Sequence, residues 1–227
     1  MGYVAAAALA FAVQPWWPKT ALDRFLAVDP AARISAGASA VAVPLWQLVL
    51  PVALVLVCWA LRSWGTSYLR GHVMADRSLH TDRLIVAGPF RWVRNPLYLG
   101  NLFLSTAYGL LLPPPGLLIV LALQGTLLGT LAHLESKALR ARHGAEYDAY
   151  ARKVHAFLPL PPRAGVPSAP VAPDWRNGWM TEAWILGFAL YLLGVELHRP
   201  AVIWAAVGVI LAVLLRNKAA HRTARAA

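Results

Sequence analysis

Apolar residues run along this chain in long unbroken blocks, without the alternating or half-faced patterns of a water-soluble fold. The clearest block, Val41 to Trp64, passes through Leu45, Leu48, Leu54, Leu56, Trp59 and Leu61 with no charged side chain before Arg62. A hydrocarbon core about 30 Å thick takes roughly 20 such residues, so this block reads as a membrane-crossing helix. The next block, Pro96 to Leu134, is too long for one crossing and is broken by Pro113, Pro114, Pro115 and Gly116. Prolines withhold backbone donors and stop a helix. The block therefore predicts a helical hairpin whose ends, near Asn95 and Glu135, return to the same face of the membrane.

Arg163 to Trp179, with Pro167, Pro170 and Pro173 among small residues, reads as a linker. A second apolar pair follows, Glu182 to Leu197 and Pro200 to Leu215, around a turn at His198, Arg199 and Pro200. Met1 to Trp17 is apolar but has no Lys or Arg ahead of it, and is taken as a retained first span. The expected fold is all-α and polytopic, with five or six spans. Its units are N-terminal transmembrane helices (1–82), a hairpin with an amphipathic segment (83–162), a linker (163–181) and a C-terminal hairpin with a basic tail (182–227). No internal repeat of solenoid-like period is present.

Composition supports lipid as the surroundings: 59% of the 227 residues are hydrophobic and 14% charged, and the mean hydropathy is +0.53. The net charge of +11 sits beside apolar runs and not along one soluble face, which points to anionic headgroups and away from nucleic acid. Cys58 is the only cysteine, so disulfides and cysteine metal sites are excluded. The seven histidines show no close ligand spacing, and no metal is expected. No GxGxxG, P-loop or nucleophile elbow occurs. Short cytoplasmic loops keep positive charge, and the basic clusters at Arg62 to Arg94, Lys137 to Arg163 and Arg216 to Arg225 all fall on one side. That side is assigned as cytoplasmic, in a bacterial inner membrane.

Candidate chemistry collects there. Asn95 suits a helix N-cap and Pro96 the first helical position. A helix start with Arg91 and Arg94 beside it suits a carboxylate or phosphate, or simply the phosphates of surrounding lipid. Glu135, where the hairpin's second arm leaves the bilayer, shares that mouth, either as a functional acid or as an interfacial Glu paired with Lys137 or an arginine. Beyond it, Leu139 to Val154 reads as an amphipathic surface helix on which Tyr147 and Tyr150 share a face. The pair suits an interfacial anchor, or a stacking surface for a purine or cation. Gly125 and Gly129 form a GxxxG that can pack within a monomer or between two copies.

The segment Arg83-Leu84-Ile85-Val86-Ala87-Gly88-Pro89-Phe90-Arg91-Trp92-Val93-Arg94-Asn95-Pro96-Leu97-Tyr98-Leu99-Gly100, then Glu135, then Gly144-Ala145-Glu146-Tyr147-Asp148-Ala149-Tyr150 and Leu158-Pro159, resembles the isoprenylcysteine carboxyl methyltransferase and phospholipid methyltransferase superfamily. The resemblance covers about a third of the chain, and its specificity lies in the order and separation of the pieces. It implies a membrane-embedded methyltransferase that uses S-adenosyl-L-methionine on a hydrophobic, lipid-like acceptor. It also implies a cofactor pocket from Gly88, Pro89, Arg94, Asn95, Tyr98, Leu99, Gly100, Glu135, Tyr147 and Tyr150, with Arg91, Arg94 and Glu135 as the catalytic groups. Two positions depart from the pattern. Many relatives have His at the place of Asn95, and two consecutive acids where this chain has Glu135 then Ser136. A membrane reductase using NADPH and a non-enzymatic membrane scaffold are the competing readings.

Overall fold

In the computed structural model, the described residues are 45–69, 84–163, 165–166, 172–196 and 199–226. They form seven α-helices: α1 Leu45–Tyr68, α2 Pro96–Gly109, α3 Pro114–His143, α4 Ala145–Lys153, α5 Trp175–Glu182, α6 Trp184–Glu196 and α7 Pro200–Ala226. A 3₁₀ turn, Gly88–Arg91, precedes α2, and no strand occurs among the described residues. Among the described residues three helices are long and apolar enough to cross a bilayer: α1, α3 and α7. The apolar segment 1–17 lies outside the described residues.

The triple proline does what its chemistry dictates. Helix α2 ends at Gly109, and α3 starts with Pro114 and Pro115 in its first turn, where their missing N–H groups cost nothing. The two arms are unequal. Helix α2 has 14 residues, about 21 Å, whereas α3 has 30, about 45 Å. Glu135 therefore lies about 32 Å along α3 from Pro114, close to the roughly 30 Å thickness of a hydrocarbon core.

Helices α1, α2 and α6 share the main core, where Val55 and Cys58 meet Leu104 and Ala107 and then Ile185, Ala189 and Leu192. A second, smaller core of Val86, Tyr147, Tyr150, Val154 and Val166 lies at the hairpin's open end. Helix α3 packs chiefly on α2, and α7 on α6.

The C-terminal part departs from the sequence expectation. A helix, α5, starts inside the segment read as a linker, with the Asp174 carboxylate accepting from Asn177 N at 3.0 Å as its N-cap. Asp174 N also donates to Ser67 O at 2.7 Å, fastening α5 to the end of α1. Glu182, expected to open an apolar span, is fully buried at the end of α5. Its carboxylate accepts from Arg62 Nε at 2.9 Å, Arg62 Nη2 at 3.0 Å and Thr66 Oγ1 at 2.8 Å. Arg62 Nη1 donates to Asn101 Oδ1 at 3.0 Å, so one guanidinium joins α1, α2 and α5. Gly100 makes room for it: a Cβ there would stand 2.8 Å from Arg62 Cγ. The chain breaks at Ala183 before α6, and the carbonyls at that break are met from α7, Met180 O by Arg216 and Thr181 O by Asn217 Nδ2 at 2.9 Å.

Glu182→Leu leaves the Arg62 guanidinium without its counter-charge and is expected to cost about 3–5 kcal/mol, while Arg62→Met with Glu182→Leu should recover most of that loss. Thermal unfolding in detergent measures both variants. Equal losses in the single and double variants would show that charge pairing does not hold the three helices together.

Candidate functional site

Segment 84–86 passes the open end of the hairpin and enters the 3₁₀ turn, where Gly88 has φ +54° and lies against Tyr68. Any Cβ at Gly88 would overlap the Tyr68 ring, 2.2 Å from its Cε2. The turn delivers Arg94 and Asn95 to the start of α2. They are held by an extended strip that follows α4: Arg94 N donates to His155 O at 2.8 Å, and Asn95 N to Ala156 O at 3.2 Å.

Asn95 occupies the N-cap position, but its side chain does not cap. Its Nδ2 donates to Ala156 O at 3.0 Å, which leaves the first turn of α2 without a side-chain acceptor. Arg94 Nη1 donates to Tyr147 Oη at 3.0 Å, and Arg94 Nε is buried without a hydrogen-bond partner. One helical turn on, Tyr98 Oη donates to Glu135 Oε1 at 2.6 Å, a short bond to a charged acceptor that ties the two arms of the hairpin at the mouth.

Helix α4 closes the arrangement beyond the end of α3. The chain turns at Gly144, and Tyr147 and Tyr150 drop into the small core with ring centroids 6.2 Å apart. Tyr150 Oη donates to Phe90 O at 2.7 Å. Burial pushes the Tyr150 phenol above its ordinary range, with the Arg94 cation pulling the other way, so it remains a neutral donor. Arg140 Nε meets Asp148 Oδ1 at 2.7 Å and lies over the Tyr147 ring at 5.8 Å, an exposed pair that orients α4 but is screened by solvent.

These groups surround a cavity of about 130 Å³. Of the candidate residues, Arg94, Asn95, Tyr98, Glu135, Tyr147 and Tyr150 line it. Gly88, Pro89, Arg91, Leu99 and Gly100 are not among its lining. Gly88 and Gly100 allow close packing against Tyr68 and Arg62, and Pro89 is buried in the 3₁₀ turn. Apolar walls come from Leu69, Leu84, Ile85, Phe90, Leu97 and Leu139, and Ser136 adds a hydroxyl. Ser136 and Leu139 were readable as neighbours of Glu135 on one helix; the carbonyls of Phe90, His155 and Ala156 carry no side-chain signal. Chemically, the cavity sets a cation and open helix N–H groups against a carboxylate, under two aromatic rings. Among the described residues no group of three His, Cys, Asp or Glu side chains is gathered to hold a metal.

Tyr150→Phe removes one hydrogen bond, worth about 1 kcal/mol. Because the folded-state phenol is raised, the stability it contributes is complete below the ordinary tyrosine value of about 10 and drains away as pH climbs beyond it. Thermal unfolding across alkaline pH should show a decline in the wild type that is shallower in Tyr150→Phe; identical slopes would remove Tyr150 from the account.

No family model matches the chain, and no solved structure matches it. Over 142 residues it is 26% identical to the nickel-cobalt-cadmium resistance protein NccN of Alcaligenes xylosoxydans xylosoxydans. The similarity covers 62% of this chain and 63% of that protein, so the chain spans less than two thirds of the relative it matches.

Proposed function

We propose that the chain is an integral membrane methyltransferase that uses S-adenosyl-L-methionine to methylate a hydrophobic, membrane-resident acceptor. The observation that carries this reading is the convergence of Arg94, the uncapped first turn of α2, the Tyr98–Glu135 pair and the Tyr147–Tyr150 rings on one cavity at the hairpin's mouth. That set complements a zwitterionic amino acid joined to a nucleoside. Arg94 and the α2 N–H groups would take a carboxylate, Glu135 an ammonium or hydroxyl, and the tyrosine rings border the remaining space.

The bound cofactor would supply an electrophilic methyl on a sulfonium. The protein's part is to hold the acceptor in line with that methyl and to keep water out. The apolar walls at Leu69, Leu97 and Leu139 suit a poorly solvated site, in which a reaction that neutralises charge is favoured over separated ions. Tyr98 fixes the Glu135 carboxylate and keeps it an acceptor. In this reading α2 and α6 are short arms beside the three full-length helices, the N-terminal segment completes five or six spans, and the basic mouth faces the cytoplasm.

A second reading joins the scaffold alternative to the relative's name: a non-enzymatic membrane protein with a part in resistance to nickel, cobalt and cadmium. Calorimetry on detergent-purified protein separates the two. Saturable binding of S-adenosylhomocysteine, lost in Glu135→Ala and in Arg94→Met while both variants stay folded, is the expected result. No binding to folded wild type, with heat from Ni²⁺, Co²⁺ or Cd²⁺ instead, would overturn the methyltransferase reading.

A further inference from the structure

The strip that holds the start of α2 has a second face that the cavity does not use. From 156 to 162 it reads Ala-Phe-Leu-Pro-Leu-Pro-Pro, seven residues without a polar or charged side chain. Leu158 is 61% exposed and Leu160 40%, and Trp92, at 40%, stands beside them, because Leu160 N donates to Trp92 O at 3.2 Å. A run this apolar is not expected to face water unless something covers it.

Its depth identifies the cover. Ala156 O is bonded to Asn95 at the start of α2, and α2 meets α3 at Glu135, where the apolar stretch of α3 gives way to Lys137, Arg140 and Arg142. The strip therefore lies at the boundary between acyl chains and headgroups. Its backbone suits that depth: Pro159, Pro161 and Pro162 have no N–H to leave unpaired, and the N–H of Leu160 is already bonded. Cations flank it, with Lys153 before and Arg163 after. Arg91, next to Trp92, is half-buried and does not line the cavity. A tryptophan, an apolar run and basic flanks at one level are the chemistry of an interfacial lipid contact.

We propose that Trp92 and residues 156–162 form a lipid-binding surface that inserts into the leaflet at the hairpin's mouth. Insertion fixes the strip, and through its bonds to Arg94 and Asn95 it fixes the rim of the cavity at headgroup depth. The occupant is a phospholipid leaflet, not a protein, and the surface exists whether or not the cavity binds a methyl donor.

The test uses the full chain in nanodiscs of phosphatidylcholine and phosphatidylglycerol. In a Cys58→Ala background, a polarity-sensitive fluorophore is attached through Leu158→Cys or Leu160→Cys, with Leu118→Cys on α3 and Glu146→Cys on α4 as lipid and water references. The expected result is blue-shifted emission, quenching by lipids bearing a nitroxide near the headgroup, and protection from aqueous iodide. Water-like emission with iodide quenching equal to that of Glu146→Cys would overturn the proposal, and would return the surface to a protein partner. Photoactivatable phosphatidylcholine on the unmodified chain gives the same answer without a label: adducts on Trp92 and 156–162 are expected, and adducts confined to the helices would overturn it.

Discussion

The ion pair between Arg62 and Glu182 sets the terms for the rest of the molecule. A charged side chain at membrane depth is expensive unless it is matched, and here the match is two-pronged, buried and completed by Thr66 and Asn101. The consequence is geometric. Helix α5 has to deliver Glu182 beside α1, so the chain breaks at Ala183 and α6 starts afresh, and the exposed carbonyls at that break require Arg216 and Asn217 from α7. The same guanidinium reaches Asn101, one turn beyond Tyr98 on α2.

The cavity itself belongs to no single element. The start of α2 supplies Arg94 and Tyr98, the exit of α3 supplies Glu135, and α4 supplies the two tyrosines. Each contact between them is a hydrogen bond between residues 37 to 60 positions apart. What aligns the pieces is the backbone strip after α4, which pairs with the residues ahead of α2 and so turns a surface helix into the cover of a membrane hairpin.

Much of this architecture is readable from local chemistry. Three prolines in a row mark the hairpin's turn, and the spacing of Asn95 and Glu135 about that turn brings them to one mouth. The residues that fail to line the cavity are instructive: Gly88 and Gly100 belong to the motif but make room for Tyr68 and Arg62, a packing role that a motif cannot distinguish from ligand contact. Arg62 looked like the polar end of a span because its partner lies 120 residues away. With the charge neutralised inside the bundle, α1 continues to Tyr68, carrying Ser63, Thr66 and Ser67 on buried surface. Helix α5 was hidden by the prolines before it, although Asp174 ahead of Trp175 is an N-cap signal. Asn95 sits at its expected position, yet its amide serves the strip at Ala156, a long-range competitor for the cap that no local rule anticipates.

The unequal arms of the hairpin carry a mechanical consequence. Helix α3 carries its polar last turns beyond the apolar stretch that ends at Leu134, whereas α2 is about half as long and is pinned to the bundle through Arg62. The Tyr98–Glu135 bond therefore joins a pinned arm to one that packs chiefly on that arm alone, so any relative movement of α2 and α3 at the mouth has to break this bond and reshape the cavity.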